Sequence, residues 1–261
     1  MIELNMNRID RLFALKRDPV LTVYFTAGFP NLNSTIEVMK ALQDHGADMI
    51  EIGMPFSDPL ADGPVIQQSS KAALDNGMNI PVLFEQLKNM RNHIKLPVVL
   101  MGYMNPVMQF GIKKFCAAAK AVGVDGVILP DLPVDEYERG FGKEFRQNNL
   151  HVSFLVTPET HEERIRKIDH LSSGFLYAVS SSSTTGNEKE LNQQEVYFKR
   201  LKGMQLKNPV LVGFGIKDRE SFLFVTRYSR GAIIGSAYIR ILEGSVNIVN
   251  STKEFLNSIL V

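Results

Sequence analysis

The sequence predicts an α/β fold, a single (β/α)8 TIM barrel with an extra N-terminal helix, spanning residues 1–261 as one domain. Three observations predict it. Apolar, β-branched runs alternate with amphipathic stretches all along the chain. No linker or composition break divides it. Carboxylates and glycines gather just after the predicted strands, where such barrels keep their chemistry.

The elements follow in order. Arg8–Lys16 carries Ile9, Leu12 and Phe13 at helical spacing and is placed as a helix across the barrel floor. Val20–Ala27 is the first strand. Its exit, Thr26-Ala27-Gly28-Phe29-Pro30, lacks the G-x-G-x-x-G fingerprint expected of the main rival, a doubly wound open sheet. Ser34–His45 is a helix with Ile36, Met39 and Leu42 on one face. The strand Asp48–Gly53 leads through a proline-rich loop to the helix Val65–Leu74. Helix Pro81–His93, strand Pro97–Tyr103, helix Lys113–Val122, strand Gly126–Pro130 and helix Asp135–Asn148 continue the alternation. Strand His151–Thr157, helix Glu162–Leu171 and strand Gly174–Ser180 come next. After the loop Ser180–Lys189 follow helix Glu190–Lys202, strand Pro209–Gly215, helix Asp218–Tyr228, strand Gly231–Ser236 and helix Val246–Leu260.

Composition narrows the function classes. Hydrophobic residues make up 44% of the 261, enough for a large core, and the net charge is +1 with Lys and Arg scattered. That argues against a nucleic-acid stripe or an anionic-membrane surface. The lone Cys116 forbids an internal disulfide and fits a reducing cytoplasm. Five dispersed histidines, with no C-x-x-C or H-E-x-x-H, argue against a metal site. The first residues, with Glu3, Arg8, Asp10 and Arg11, have no signal-peptide core, and Leu96–Tyr103 is too short to span a bilayer. A soluble cytoplasmic protein is expected.

Chemistry concentrates in Glu51 to Gly63. Glu51 sits in an apolar strand. Strand parity puts Met49, Glu51 and Gly53 on one face, and a barrel-interior carboxylate would be desolvated into the range of a general base. The alternative is a rim ion pair with a nearby cation. Asp62 lies eleven positions on, in a Pro/Gly loop, as a second carboxylate or as the cap of the helix that follows. The glycines of Val212-Gly213-Phe214-Gly215-Ile216 and Ile234-Gly235-Ser236-Ala237 end the last two strands, where backbone N–H groups bind phosphate in such barrels. The Ser/Thr-rich loop Ser180–Lys189 is a lid or a plain surface loop. Met101, Met104, Met108 and Cys116 read as core, and His93 and His170 lie near helix C-termini.

The stretch E-I-G-M-P-F-S-D-P-L-A-D-G at residues 51–63 resembles the defining motif of the tryptophan synthase α subunit. The likeness runs on through Thr26-Ala27-Gly28, Met104-Asn105-Pro106, Pro130-Asp131-Leu132-Pro133, Thr185-Gly186, Gly213-Phe214-Gly215-Ile216 and Gly235-Ser236. The resemblance implies a barrel lyase that cleaves indole-3-glycerol phosphate to indole and D-glyceraldehyde 3-phosphate. It implies no cofactor in this chain, and a pyridoxal-phosphate-dependent β subunit as partner in an α2β2 heterotetramer. By resemblance Glu51 is the general acid/base and Asp62 holds the indole N–H. Tyr177 lines the site and Thr185 is the lid threonine. Gly186, Gly213, Gly215, Gly235 and Ser236 form the phosphate cradle. Tyr24, Ile66, Met101, Ile128 and Phe214 would wall the indole pocket, and Pro55–Pro59 and Pro130–Asp135 would face the β subunit.

Two positions depart from the pattern. Ser183 stands where the family has a glycine two residues before the lid threonine, and Tyr24 stands where it often has Phe. The Tyr24 hydroxyl must therefore find a partner in an apolar pocket. Two other readings are another phosphate-binding barrel enzyme, such as a sugar-phosphate isomerase or epimerase, and a weakly catalytic protein whose main work is to activate a β subunit.

Overall fold

Nearly every residue of the apolar runs is buried in one parallel sheet, in a computed structural model that describes residues 6–179 and 195–261. Its strands are β1 (Val20–Thr26), β2 (Met49–Gly53), β3 (Val98–Met101), β4 (Gly126–Ile128), β5 (His151–Val152), β6 (Leu155–Val156), β7 (Leu176–Val179), β8 (Val210–Gly213) and β9 (Gly231–Ile234). They are ordered β5-β4-β3-β2-β1-β9-β8-β7-β6. Among the described residues nine strands replace the predicted eight, because 151–157 is kinked. Its first half pairs with β4 and its second half with β7, so one stretch of chain supplies both edges and closes the ring. The kink stays tied on both sides. Ser153 N–H donates to Val127 O, and Tyr177 N–H donates to Phe154 O.

The register fixes what faces inward. Tyr24 pairs with Glu51, Glu51 with Val99, and Val99 with Gly126. One layer higher Thr26, Gly53, Met101 and Ile128 are aligned. Residues two apart share a face, so Met49, Glu51 and Gly53 line the interior together, as parity predicted.

The floor is closed by α1 (Arg8–Leu15). Asn7 caps it, accepting from Ile9 N–H, while its amide donates to Asp125 O and Asn149 O. Ile9 is fully buried beneath the strands. Arg8 and Arg91 both bond the buried Asp125 carboxylate, which also accepts from Val98 N–H. The predicted floor helix is therefore locked by ions as well as by packing.

Around the ring run α2 (Thr35–Asp44), α3 (Pro64–Asp75), α4 (Ile80–Leu87), α5 (Met104–Phe110) and α6 (Ile112–Val122). Further on come α7 (Val134–Glu136), α8 (Gly142–Gln147), α9 (Glu162–Leu171), α10 (Glu195–Gly203), α11 (Arg219–Thr226), α12 (Ser236–Glu243) and α13 (Ile248–Leu260). Two of them, α5 and α12, were not predicted. Asn105-Pro106 reads as a turn, yet proline in a first helical turn loses no needed hydrogen bond. The run from Ser236 follows β9 with only Gly235 between, so the strand pattern masked a helix that buries Tyr238, Ile239 and Leu242. The predicted helix Asp135–Asn148 is broken by a wide turn at Tyr137–Phe141 between α7 and α8. A Cβ at Gly142 would stand 2.7 Å from Tyr137 O. The predicted helix Pro81–His93 stops at Leu87, with a separate short turn at Met90–Asn92. Met108 is a correction to the predicted core. It is 58% exposed, whereas Met101 and Met104 are buried.

Candidate active site

Glu51 lies at the centre of β2, 1% exposed, and neither carboxyl oxygen has a hydrogen-bond partner among the described residues. A rim ion pair is thus ruled out for this side chain. Burial first, and the nearby Asp62 carboxylate second, push its pKa up to about 8. A neutral carboxyl is the resting form at pH 7, and such a group can give a proton before taking one.

The loop after β2 brings Asp62 to the same place. Met54 N–H donates to Met101 O at 2.7 Å, so the chain leaves β2 along β3. Gly102 then lets the loop dock, since a Cβ there would lie 2.7 Å from Met54 Cε. Phe56 packs on the Tyr103 ring with centroids 5.4 Å apart. Asp62 is not a helix cap. The N-cap of α3 is Gly63, and the Asp62 carboxylate accepts instead from the Tyr103 hydroxyl at 2.9 Å. Burial raises the Asp62 pKa to about 6, against the Tyr103 hydrogen bond, which lowers it.

Two tyrosines lean over two strand-end glycines. The Tyr24 hydroxyl rests where a Gly53 side chain would be, and the Tyr177 hydroxyl where a Gly213 side chain would be. Gly213 therefore makes room for Tyr177 as well as ending β8. Both phenols are buried and pushed well up by desolvation, with Glu51 and Asp62 adding to it. The Tyr24 hydroxyl has a partner, though a distant one, in Thr26 Oγ1 at 3.5 Å. Thr26 meets Ser69 Oγ at 2.6 Å, and Ser69 donates to Ile66 O at 2.9 Å. A carbonyl can only accept, so each hydroxyl donates down the chain from Tyr24 to Ile66.

Ile66, in the first turn of α3, and Met101, at the end of β3, are 8% and 7% exposed. Phe214 meets Tyr177 edge-on at 6.1 Å and holds a left-handed φ of 67°, followed by Gly215 at 72°. That double turn exposes Gly215 above the barrel. Gly235 is the N-cap of α12 and Ser236 its first residue, so a helix N-terminus opens at the end of β9. A Cβ at Gly235 would come nearest the Tyr24 side chain, at an ordinary 3.5 Å.

Thr185 and Gly186, with Ser183 and the whole lid segment, lie outside the described residues. Within the Pro130–Asp135 segment, Pro130 to Val134 line an outer cleft of about 250 Å³ with Phe154, Arg164 and Ile168. Asp131 accepts twice from Met104 N–H there, fixing the start of α5. Among the described residues no group of three or more His, Cys, Asp or Glu could hold a metal ion, and no helix is long and apolar enough to cross a membrane.

Sequence reasoning missed Tyr103, Thr26 and Ser69. Tyr103 was within reach, because it continues the inward parity of Val99 and Met101 past the end of β3. Ser69 was not, since its partner lies 43 positions away on another element.

The family model described as tryptophan synthase alpha chain matches residues 13–258. A protein of Flavobacterium psychrophilum named tryptophan synthase alpha chain is 50% identical, over 97% of this chain and 100% of its own length. The Parabacteroides distasonis protein of that name is 48% identical, over 97% and 99%. Among solved structures, tryptophan synthase subunit alpha from Legionella pneumophila superposes with a TM-score of 0.87 at 35% identity, covering 97% of each chain. A chain of the tryptophan synthase complex from Pyrococcus furiosus gives 0.83 at 36% identity, covering 93% of this chain and 98% of that one.

Proposed function

This chain belongs to the tryptophan synthase alpha chain family, a lyase that cleaves indole-3-glycerol phosphate to indole and D-glyceraldehyde 3-phosphate, and from that premise we propose that Glu51 and Asp62 carry out the cleavage. The observation that carries this reading is the buried Glu51 carboxyl, without a hydrogen-bond partner among the described residues, beside Asp62. Glu51, neutral at rest, gives its proton to the indole ring carbon that bears the side chain. The positive charge that develops on the ring nitrogen is held by the Asp62 carboxylate, which accepts the N–H. Glu51, now a carboxylate, takes the proton of the adjacent C3′ hydroxyl. The C–C bond breaks, the aldehyde forms, and the electron pair returns to the ring as indole. Glu51 ends protonated, as it began.

The N-terminus of α12, from Gly235 and Ser236, together with Gly213 and Gly215, takes the phosphate dianion through backbone N–H groups, with Gly186 completing the cradle. Tyr24, Ile66, Met101, Tyr177 and Phe214 wall the indole ring, and Thr185 closes over Asp62. The chain works as one domain in the cytoplasm and binds no cofactor of its own. Its partner is a β subunit that carries pyridoxal phosphate, in an α2β2 assembly, and indole passes to it for L-tryptophan synthesis. Known complexes of relatives support a β partner.

The test is indole release from indole-3-glycerol phosphate by the purified chain, alone and with a tryptophan synthase β subunit. Slow release that rises strongly with the partner is expected. No release in either case would move the purely activating role to the front.

A further inference from the structure

We infer that Tyr103 is a positioning residue that divides the work between the two carboxylates, its single hydroxyl proton committed to Asp62 so that Asp62 stays the anion and Glu51 the acid. The inference rests on the roles proposed for Glu51 and Asp62 and deepens them.

The direction of that proton follows from the bonds. Ala61 N–H donates to the Tyr103 oxygen at 3.0 Å, so the phenol accepts from the loop backbone. Its own O–H is left to Asp62 Oδ2 at 2.9 Å. One oxygen thus fixes both the main chain and the side chain at the tip of the loop that carries Asp62. Burial, and Asp62 itself, push the Tyr103 pKa upward, so the phenol remains a donor at any working pH. Phe56 against its ring and Met54 over Gly102 hold the loop on this post.

Glu51 has no such donor among the described residues. Both carboxyls are desolvated, and no described Lys, Arg or His pairs with either. The groups that face them are each other, Tyr24 from β1, Tyr177 from β7 and Tyr103 from the end of β3, with Asp131 facing Tyr103 from beyond β4. The one hydrogen bond to a charged form falls on Asp62, the less buried of the two, while Glu51 is 1% exposed and has none among the described residues. Fuller burial and the Asp62 charge raise Glu51 to about 8, while the Tyr103 bond works against burial at Asp62, which stands at about 6, and neutral pH falls between them. Without it the two carboxyls would titrate closer together, and part of the enzyme would lack the anion that meets the indole nitrogen.

The test uses the full chain labelled with 13C at Asp and Glu carboxyls, titrated by NMR, with D62N and E51Q to assign the two signals. Y103F removes the hydroxyl and keeps the ring, and F56L loosens the same loop but keeps the hydroxyl. In Y103F the Asp62 midpoint is expected to rise by about one pH unit, as for loss of a hydrogen bond to a charged group. In F56L it should stay. The pH profile of indole release should follow. For Y103F, kcat/KM is expected to fall about fivefold at pH 6 and to change little at pH 8. An unmoved Asp62 midpoint in Y103F, or an equal movement in F56L, overturns the inference. If the unaltered chain releases no indole, the functional reading fails, while the titration still decides what Tyr103 does to Asp62.

Discussion

At the scale of single residues, Glu51 sets a conflict between stability and activity. Its folded-state pKa of about 8 lies above the ordinary 4.5. A carboxyl raised in this way favours the folded state less and less as pH climbs. The native protein must hold a proton the unfolded chain has released, and above the folded pKa it must bury a charge. E51Q removes that cost. It is expected to melt higher than the unaltered protein by an amount that grows from about pH 4.5 to about pH 8 and then levels off, reaching a few kcal/mol. Lyase activity should fall by orders of magnitude in the same variant while β-subunit binding persists. Scanning calorimetry across pH, paired with indole release, checks both halves. Activity that survives E51Q would mean that another group is the proton donor.

The strand-end glycines act at the scale of the element, and they are not equivalent. At Gly213 a side chain would collide with Tyr177, so G213A should cost about 1–3 kcal/mol by overpacking and disturb the indole pocket too. An acidic substitution at Gly213 would act through the same collision as well as through charge repulsion. At Gly235 the atoms nearest a Cβ belong to the Tyr24 side chain, at contact distance, and its φ of −117° is not left-handed. G235A should keep its melting temperature within a degree or two and still raise KM for indole-3-glycerol phosphate at least tenfold, because the methyl group stands at the N-terminus of α12. A substrate titration and a melting curve on both variants separate the two cases. An unchanged KM in G235A would remove the helix N-terminus from the phosphate site.

The whole barrel depends on its floor. Asp125 is 3% exposed and holds Arg8 from α1, Arg91 from the turn after α4 and Val98 N–H on β3. D125A removes the buried carboxylate that two cations and a backbone donor share, although Arg91 keeps its carbonyl partners. It is expected to cost about 3–5 kcal/mol, which for a chain of this size lowers the melting temperature by on the order of 10 °C. Tyr24, Glu51 and Tyr103 lie on the strands and at their far ends, so kcat measured well below the melting point should stay within about twofold. A large kcat loss at a temperature where D125A remains folded would show that floor and mouth are coupled.

The alternation of apolar runs and amphipathic stretches determined the barrel, its floor helix and the inward parity of β2, because period-two and period-3.6 patterns are local properties of the chain. The motif at residues 51–63 named both carboxylates. What local pattern could not give is whatever depends on residues far apart in the chain. The helices α5 and α12 hide behind Asn105-Pro106 and behind a strand that passes into helix with one residue between. The kink that lets 151–156 serve two neighbours is decided by ring closure. Above all, the state of each carboxyl is tertiary. Glu51 could have met a cation at the rim, and Asp62 could have capped a helix. Only the folded barrel shows Glu51 desolvated without a partner among the described residues and Asp62 held by Tyr103, a residue 41 positions away. Sequence carries the chemical groups and their faces, whereas dielectric surroundings and hydrogen-bond partners exist only once the chain has closed on itself, and those set the protons on which the chemistry runs.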